Sequence, residues 1–234
     1  MILSELIQRS PIRIFEKSIH GGLKSGEIGI IASRAGIGKT SVLVQLALDK
    51  LLQSKKVIHV SFTQHVHHVL SWYEDIFAEF INKKNLENTS EVKNETVKNR
   101  VLMNFNQDVF STDQIIKSLR TMIVDGGFAA ELIIIDGFDF SKSSRERVAE
   151  IKAFAQELGL SIWYSCTVKD QKQQYDKNSI PLILNDFIDC IDLVIVLEPK
   201  PDHIELSVSK DRNAHDTQSL AMRLDPKTLL ILER

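Results

Sequence analysis

Short, unbroken apolar runs recur along the 234-residue chain and constrain its fold more than any other feature. Five such runs occupy residues 27–33, 55–62, 131–138, 160–166 and 191–198. Continuous apolar runs, rather than strict alternation with polar residues, are typical of strands covered on both faces, as in a parallel sheet. Stretches with helical periodicity fill most of the gaps, at residues 40–52, 65–81, 111–126 and 143–159. This alternation predicts an α/β fold with a mostly parallel central sheet flanked by helices.

The end of the chain differs from the rest, because two further apolar runs, residues 203–210 and 228–234, follow one another without a helix between them. We therefore expect antiparallel strands at the C-terminal end of the sheet. Residues 82–100 are nearly all polar and predict an exposed surface excursion. Because the sequence has no internal repeat or second apolar core, we predict one domain over residues 1–234, with residues 1–20 as an N-terminal lead-in.

Two of the helical stretches carry recognisable start and stop signals. Ser111 and Gln114 have the spacing of a capping box, in which each side chain bonds the backbone N–H of the other residue. That stretch stops at Gly126 and the next one at Gly159, because glycine is the commonest residue just past a helix end.

Charge and cysteine content bear on the class of protein. The 29 basic residues nearly balance the 31 acidic ones, which gives no chain-wide basic footprint for nucleic acid but leaves room for a local basic patch. Cys166 and Cys190 lack CxxC spacing, so we expect buried, reduced thiols. No apolar run reaches the roughly 18 residues of a membrane helix, and the N-terminal residues do not have the pattern of a signal peptide. We therefore expect a cytoplasmic protein without a membrane partner.

The segment "SRAGIGKTS", residues 33–41, has the spacing of a phosphate-binding loop, with Ser33 in place of the first glycine of the G-x-x-x-x-G-K-[ST] pattern. It lies between a predicted strand and a predicted helix, as the motif requires. Gly36 and Gly38 let consecutive N–H groups curl around phosphate oxygens, and the Lys39 ammonium would reach the β- and γ-phosphates. A chance Gly-Lys-Thr triplet at a helix start is the alternative. The residues predicted to contact the nucleotide are Gly36, Ile37, Gly38, Lys39, Thr40 and Ser41.

A magnesium site is predicted from the apolar run that ends in Asp136. An acidic residue at the end of a buried strand is costly without a partner. We therefore predict that Asp136 and the Thr40 hydroxyl hold Mg²⁺ beside the phosphates. An ordinary Asp-Gly turn is the alternative interpretation, and Asp139 is a weaker candidate for the same role.

Residues 21–41, "GGLKSGEIGIIASRAGIGKTS", resemble the start of RecA-superfamily P-loop ATPase domains of the KaiC, RadA and DnaB-helicase type. DnaB-type helicases also have a small residue other than glycine at the position of Ser33. The resemblance extends over residues 21–234 and implies a RecA-like fold with ATP and Mg²⁺ as ligands. It also implies that Asp136 is the Walker B aspartate and that Thr167 senses the γ-phosphate.

The later segment "SKDRNAH" resembles the Lys-x-Arg element of ring-forming relatives, which reaches the nucleotide of the neighbouring subunit. The resemblance therefore implies a homo-oligomeric ring in which Lys210 and Arg212 contact the ATP of a neighbour. Solvated charges on an edge-strand turn are an equal alternative.

The chain departs from the family pattern at the end of the second apolar run. KaiC-type relatives have Ser-Phe-Glu-Glu there, with a glutamate that polarises the attacking water, whereas residues 61–64 of this chain are Ser-Phe-Thr-Gln. A general base contributes about 10²–10⁴-fold to a rate, and Thr63 cannot act as one at neutral pH. Gln64 is the candidate for orienting water by hydrogen bonding, and Thr167 is its predicted catalytic companion. A base from one of the nearby histidines, His65, His67 or His68, is an alternative, but a mixed helix face is the favoured interpretation of these residues.

We therefore predict a protein that binds Mg·ATP, hydrolyses it slowly or not at all, and serves as a nucleotide-dependent regulatory or assembly module. The alternative is an active ring-forming ATPase of DnaB-helicase type that acts on nucleic acid.

Two loops, residues 137–147 and 167–181, correspond to the ring-axis loops of such ATPases, and the second contains Tyr175 with Lys169, Lys172 and Lys177. Without a basic stripe, nucleic-acid binding is not favoured. The apolar helix at residues 65–81 is expected to pack under the sheet, with a protein partner as the alternative.

Overall fold

The computed structural model describes residues 10–84, 89–169, 174–214 and 218–233. These residues contribute nine strands to one sheet. The strands are β1 (Ile28–Ser33), β2 (Lys56–Ser61), β3 (Arg100–Asn104), β4 (Ala130–Asp136), β5 (Ser161–Thr167), β6 (Leu193–Pro199), β7 (Ile204–Asp211), β8 (Gln218–Leu224) and β9 (Ile231–Glu233). The α-helices are α1 (Pro11–Ser18), α2 (Lys39–Leu52), α3 (Val66–Lys84), α4 (Ser90–Lys98), α5 (Thr112–Arg120) and α6 (Arg145–Leu158).

The order of strands across the sheet is β3-β2-β4-β5-β1-β6-β7-β8-β9. Neighbouring strands from β3 to β6 are parallel, and those from β6 to β9 are antiparallel. The predicted α/β fold, with a parallel core and antiparallel strands at the C-terminal end, is therefore confirmed. The carboxyl ends of β1, β2, β4 and β5 meet at one edge of the sheet, which is where open α/β sheets bind their ligands.

Helices cover both faces of the parallel part of the sheet. All six residues of β1 are buried, and consecutive side chains point to opposite cores. Ile31 belongs to the core shared with α1, α2 and α3, and Ile30 to the core shared with α5 and α6. Helix α2 is buried on nearly every side, as expected for a helix that is apolar all round. Because α2 is fixed in this way, the loop that precedes it is held at a defined position.

Two strands and two helices were not predicted from the sequence, and the first of these helices, α1, lies in the predicted N-terminal lead-in. Strand β3 is a short edge strand that pairs only with β2 among the described strands. Its residues are only partly buried, and both of its ends are polar, so its sequence lacks the long apolar run of a central strand. Strand β8 alternates buried and exposed residues over its second half, because one of its faces is covered and the other is not. Helix α4 occupies part of the polar residues 82–100, and Thr96 is its one buried residue. Residues 85–88 of that stretch, residues 1–9 of the lead-in and Lys172 lie outside the described residues.

The local signals are confirmed where the structure describes them. Ser111 and Gln114 form the capping box of α5, and Gly159, with φ at +68°, ends α6. The chain continues past α5 in a π-helical turn, Thr121–Asp125, before Gly126. Cys166 and Cys190 are buried free thiols. Among the described residues, no helix combines the length and the apolar character needed to cross a bilayer.

Candidate nucleotide-binding site

The phosphate-binding loop joins the end of β1 to the start of α2. Gly36 has φ at +77° and Gly38 at +106°, a backbone region that glycine adopts with little strain. A Cβ on Gly38 would lie 2.6 Å from Cδ2 of Leu224, so the backbone there approaches a neighbouring side chain as closely as glycine allows. No side chain caps the N-terminus of α2. The N–H groups of its first turn, together with the helix dipole, form an environment suited to an anion.

Ser33 fits the position of the missing glycine because the strand continues through it. The residue pairs with Thr167 of β5 in parallel register and is not among the residues with positive φ. Its side chain is fully buried, and its hydroxyl donates to the carbonyl of Arg34 at 2.9 Å. The backbone at residue 33 therefore does not need the positive φ that only glycine adopts readily, and a small side chain fits there.

Lys39 points its ammonium back along the loop. Its Nζ donates to the carbonyl of Arg34 at 2.8 Å, to the carbonyl of Ser33 at 3.2 Å and to the Ser33 hydroxyl at 3.3 Å. Burial lowers the pKa of Lys39, while nearby Cys166 and Asp136 oppose this shift. The ammonium is thus surrounded by oxygen acceptors at the point where phosphate oxygens would take their place, which fits a nucleotide site.

Thr40 and Asp136 meet at the carboxyl edge of the sheet, as the sequence predicted. The Thr40 hydroxyl donates to Oδ2 of Asp136 at 2.8 Å, and the Asp136 side chain is buried at the end of β4. A hydroxyl beside a carboxylate is a donor set that suits Mg²⁺, which takes few protein ligands and completes its shell with phosphates and water. These residues fit the predicted metal.

The chain reverses after β2 in residues 61–64, here termed the β2 turn. The backbone N–H of Phe62 donates to the carbonyl of Asp136 at 2.9 Å, so the turn lies directly beside the end of β4. Thr63 is exposed, and its side chain packs against Gly137, where a Cβ would lie 2.4 Å from the threonine Oγ1. Oε1 of Gln64 is buried and has no hydrogen-bond partner within the described part of the chain. Each of the three nearby histidines is exposed, at positions His65, His67 and His68.

Thr167, at the end of β5, lies beside the start of the phosphate loop. It pairs with Ser33, and the N–H of Val168 donates to the carbonyl of Ser33 at 2.9 Å. The Thr167 side chain is exposed, so it faces outward at the same edge as Lys39. The weaker candidate Asp139 accepts bonds from the N–H and the hydroxyl of Ser141 and serves its own 3₁₀ turn.

Ser41 faces away from this edge. Its hydroxyl is buried and donates to the carbonyl of Leu229 at 2.5 Å, and Nε2 of Gln45 donates to the same carbonyl at 2.9 Å. The turn between β8 and β9 is therefore fastened to the start of α2. Only the backbone N–H of Ser41 remains as a group that this residue could offer to an anion.

Lys210 and Arg212 lie at the opposite edge of the sheet, because β7 runs antiparallel to β6 and ends beside the start of β6. Arg212 forms two bonds to Glu27, Nε to Oε1 at 2.9 Å and Nη2 to Oε2 at 2.8 Å, and it also pairs with Asp211. Nζ of Lys210 donates to the carbonyl of Arg212 at 2.5 Å. Burial lowers the pKa of Lys210. The chain does not bring either residue to its own phosphate loop.

Sequence reasoning missed Asn104, the last residue of β3. Its Nδ2 donates to the carbonyls of Ser61 and Gln64, at 3.1 and 2.7 Å. The only sequence signal is an asparagine at a strand end, a common turn residue. Its partners are some forty residues away along the chain, so the contact required the pairing of β3 with β2.

Comparison with known proteins places this site in a family. The family model of the DnaB-like helicase C terminal domain matches residues 13–191, which is well over half of the chain. A search of curated proteins finds no match. The matched region contains the phosphate loop, Asp136, the β2 turn and Thr167, whereas Lys210, Arg212 and the last strands lie beyond it. The chain therefore belongs to the DnaB-like helicase C-terminal domain family and has its RecA-like P-loop ATPase fold.

Proposed function

We propose that the protein binds Mg·ATP at the phosphate loop, hydrolyses it slowly or not at all, and acts as a nucleotide-dependent regulatory or assembly module. One observation carries the proposal. Lys39 would hold phosphate, and Thr40 and Asp136, which are in contact, would hold the metal, whereas residues 63 and 64 offer no carboxylate. ADP would bind through the same loop, and we place the protein in the cytoplasm.

Binding draws on groups that already face the loop. The Lys39 ammonium would exchange the carbonyls of Ser33 and Arg34 for phosphate oxygens, which are stronger acceptors because they are charged. The first-turn N–H groups of α2 and the loop around Gly36 and Gly38 complete the anion site. When bound at Thr40 and Asp136, Mg²⁺ would neutralise charge on the β- and γ-phosphates.

Hydrolysis requires a water molecule that is oriented towards the γ-phosphorus and loses a proton. The Thr63 hydroxyl does not accept a proton at neutral pH, and the amide of Gln64 is not a base. The buried, unpartnered Oε1 of Gln64 can accept a hydrogen bond from water and orient it. Thr167, at the end of β5, would hydrogen-bond the γ-phosphate. Orientation without a base leaves the reaction short of the 10²–10⁴-fold that general-base catalysis typically contributes.

The second candidate is an active, ring-forming ATPase that acts on nucleic acid, and family membership favours it. In a homo-oligomeric ring, Lys210 and Arg212 would contact the nucleotide of a neighbouring copy. Arg212 would first have to leave Glu27 and Asp211. This requirement and the missing carboxylate make the binding module the better-supported proposal.

Calorimetry and thermal unfolding with Mg·ATP test the proposal. At an ATP concentration of 100 times Kd, binding should raise the free energy of unfolding by about 2.7 kcal/mol, and Lys39→Ala should abolish the gain. Phosphate release should stay far below ~1 s⁻¹, the low end of ordinary enzyme turnover, with and without single-stranded DNA. Turnover above that rate on addition of DNA, in a species that light scattering shows to be a ring, would establish the second candidate instead.

A further inference from the structure

The β2 turn is fastened on one side by Asn104. Both amide hydrogens of its side chain are used, one on the carbonyl of Ser61 at 3.1 Å and one on the carbonyl of Gln64 at 2.7 Å. The N–H of Gln64 also donates to the Ser61 hydroxyl at 3.0 Å. The N–H of Phe105 donates to the carbonyl of Ser61 at 3.0 Å. One side chain therefore closes the turn by bridging its first and last residues.

On the other side, the turn is held against the end of β4. Phe62 donates its N–H to the carbonyl of Asp136, and its ring contacts that of Phe138, with centroids 5.5 Å apart. Gly137, at φ +79°, leaves room for the Thr63 side chain, which a Cβ would exclude. Residue 63 is therefore held against Gly137, the residue that follows the predicted metal ligand Asp136. Its own side chain stays exposed.

From this geometry we infer that Asn104 is a positioning residue, which holds residue 63 at the place where a water-activating group would act on a nucleotide bound at Lys39 and Thr40. The hydrogen bonds of the β2 turn thus hold residue 63 in place, but residue 63 is a threonine and supplies no carboxylate. The inference rests on the proposed function, because it requires ATP to bind at the phosphate loop. It adds that a carboxylate placed at residue 63 restores turnover, and that this restoration depends on the Asn104 amide.

If Asn104 had a purely structural role, its replacement would have a different effect on stability and on rate. A bond that only stabilises the fold would affect thermal unfolding and would leave the rate of the folded, ATP-saturated protein unchanged. A positioning bond affects that rate at saturation and leaves ATP affinity unchanged, since the phosphate loop is separate. Asp is the most informative replacement, because it has the shape of Asn but no N–H groups to donate to two carbonyls.

The experiment compares phosphate release at saturating Mg·ATP in Thr63→Glu and in double variants that also carry Asn104→Asp, Asn104→Ala or Asn106→Ala. ATP affinity is measured in parallel for each protein. Thr63→Glu should raise turnover about 100-fold over the parent, the lower end of general-base catalysis. Adding Asn104→Asp or Asn104→Ala should remove at least about tenfold of that gain, with ATP affinity kept within about threefold. The matched control Asn106→Ala, two residues further on and exposed, should keep the full gain.

Separate outcomes identify which part of the account is wrong. If Thr63→Glu binds ATP and gains nothing, the frame does not place residue 63 productively and the inference is overturned. Full gain in a folded Asn104→Asp double variant would show that Asn104 positions nothing. If Asn104→Ala fails to fold, the same-shaped Asp variant decides. Absence of Lys39-dependent ATP binding in the parent would instead overturn the proposed function, and the inference with it.

Discussion

The phosphate loop and the β2 turn lie at the same edge of the sheet, yet they carry different kinds of side chain. In the loop, Lys39 has its oxygen acceptors and Thr40 contacts Asp136. In the turn, the backbone is fastened on both sides, but residue 63 is a threonine. Under the proposed function, the first region would hold the groups that bind a nucleotide, and the second would hold the position of a water-activating group without a carboxylate there.

Under the proposed function, binding and hydrolysis would depend on separate parts of the chain. The loop would bind phosphate in the ground state, whereas a water-activating group contributes mainly in the transition state. A substitution at the end of β2 can therefore remove turnover and leave affinity intact. Substitutions in either region test this separation.

Loss of the Lys39 ammonium should have the largest effect, because it removes the charge that faces the phosphates. We expect Lys39→Ala to weaken ATP binding by at least 100-fold, about 3 kcal/mol, at the upper end for a bond to a charged group. Calorimetric titration measures the change. Lys55→Ala, which breaks an exposed ion pair with Glu131, is the control and should bind as the parent does. Equal affinity in Lys39→Ala and the parent would remove the distinction between the two regions.

His59, in the middle of β2, makes the turn side of the molecule sensitive to acid. The side chain is buried, and Nδ1 lies 3.1 Å from the Tyr73 hydroxyl. Burial lowers the pKa of His59 to about 4, whereas in the unfolded chain it is near 6.5. The unfolded chain therefore binds more protons between these values, and the free energy of unfolding falls as pH drops from about 6.5 towards 4.

Denaturant unfolding at pH 7 and pH 5 measures this effect. The parent should lose about 2 kcal/mol of stability from this group between the two values, and His59→Gln should lose correspondingly less. His67→Gln, at an exposed position of α3, should retain the pH dependence of the parent. An unchanged slope in His59→Gln would mean that the buried imidazole does not govern the acid response of β2.

The two loop glycines should respond unequally to alanine. Both have positive φ, so both substitutions strain the backbone, but only at Gly38 would the new Cβ also meet Leu224, at 2.6 Å. Gly36→Ala would meet nothing within 4 Å. We expect Gly38→Ala to cost about 1 kcal/mol more of unfolding free energy than Gly36→Ala, the low end for overpacking. Equal losses would mean that Leu224 moves aside without cost.

Ser33→Gly, which restores the glycine of the common motif, should have the smallest effect. The hydroxyl makes one long bond to Lys39, at 3.3 Å, and the backbone already has the strand conformation. ATP affinity should change by less than about fivefold, below 1 kcal/mol. A change above tenfold would assign the serine an active part in binding.

Sequence patterns sufficed for the parts of the molecule that rest on local signals. The continuous apolar runs located β1, β4 and β5, and the loop motif with a strand-end aspartate predicted the contact between Thr40 and Asp136. The same approach missed β3, because an edge strand with polar ends carries little apolar signal. It also missed Asn104 and the partnership of Arg212 with Glu27. These contacts join residues that are distant along the chain and depend on strand order, which no local pattern encodes.

The nucleotide recovered from the protein shows whether ATP binds and whether it is hydrolysed. The protein, in excess, is mixed with γ-labelled Mg·ATP, separated from free nucleotide, and its bound nucleotide is identified over time. The account predicts intact ATP on the parent, conversion far slower than ~1 s⁻¹, and none retained by Lys39→Ala. Lys39-dependent conversion to ADP at or above that rate, or no nucleotide retained by the parent, would contradict it.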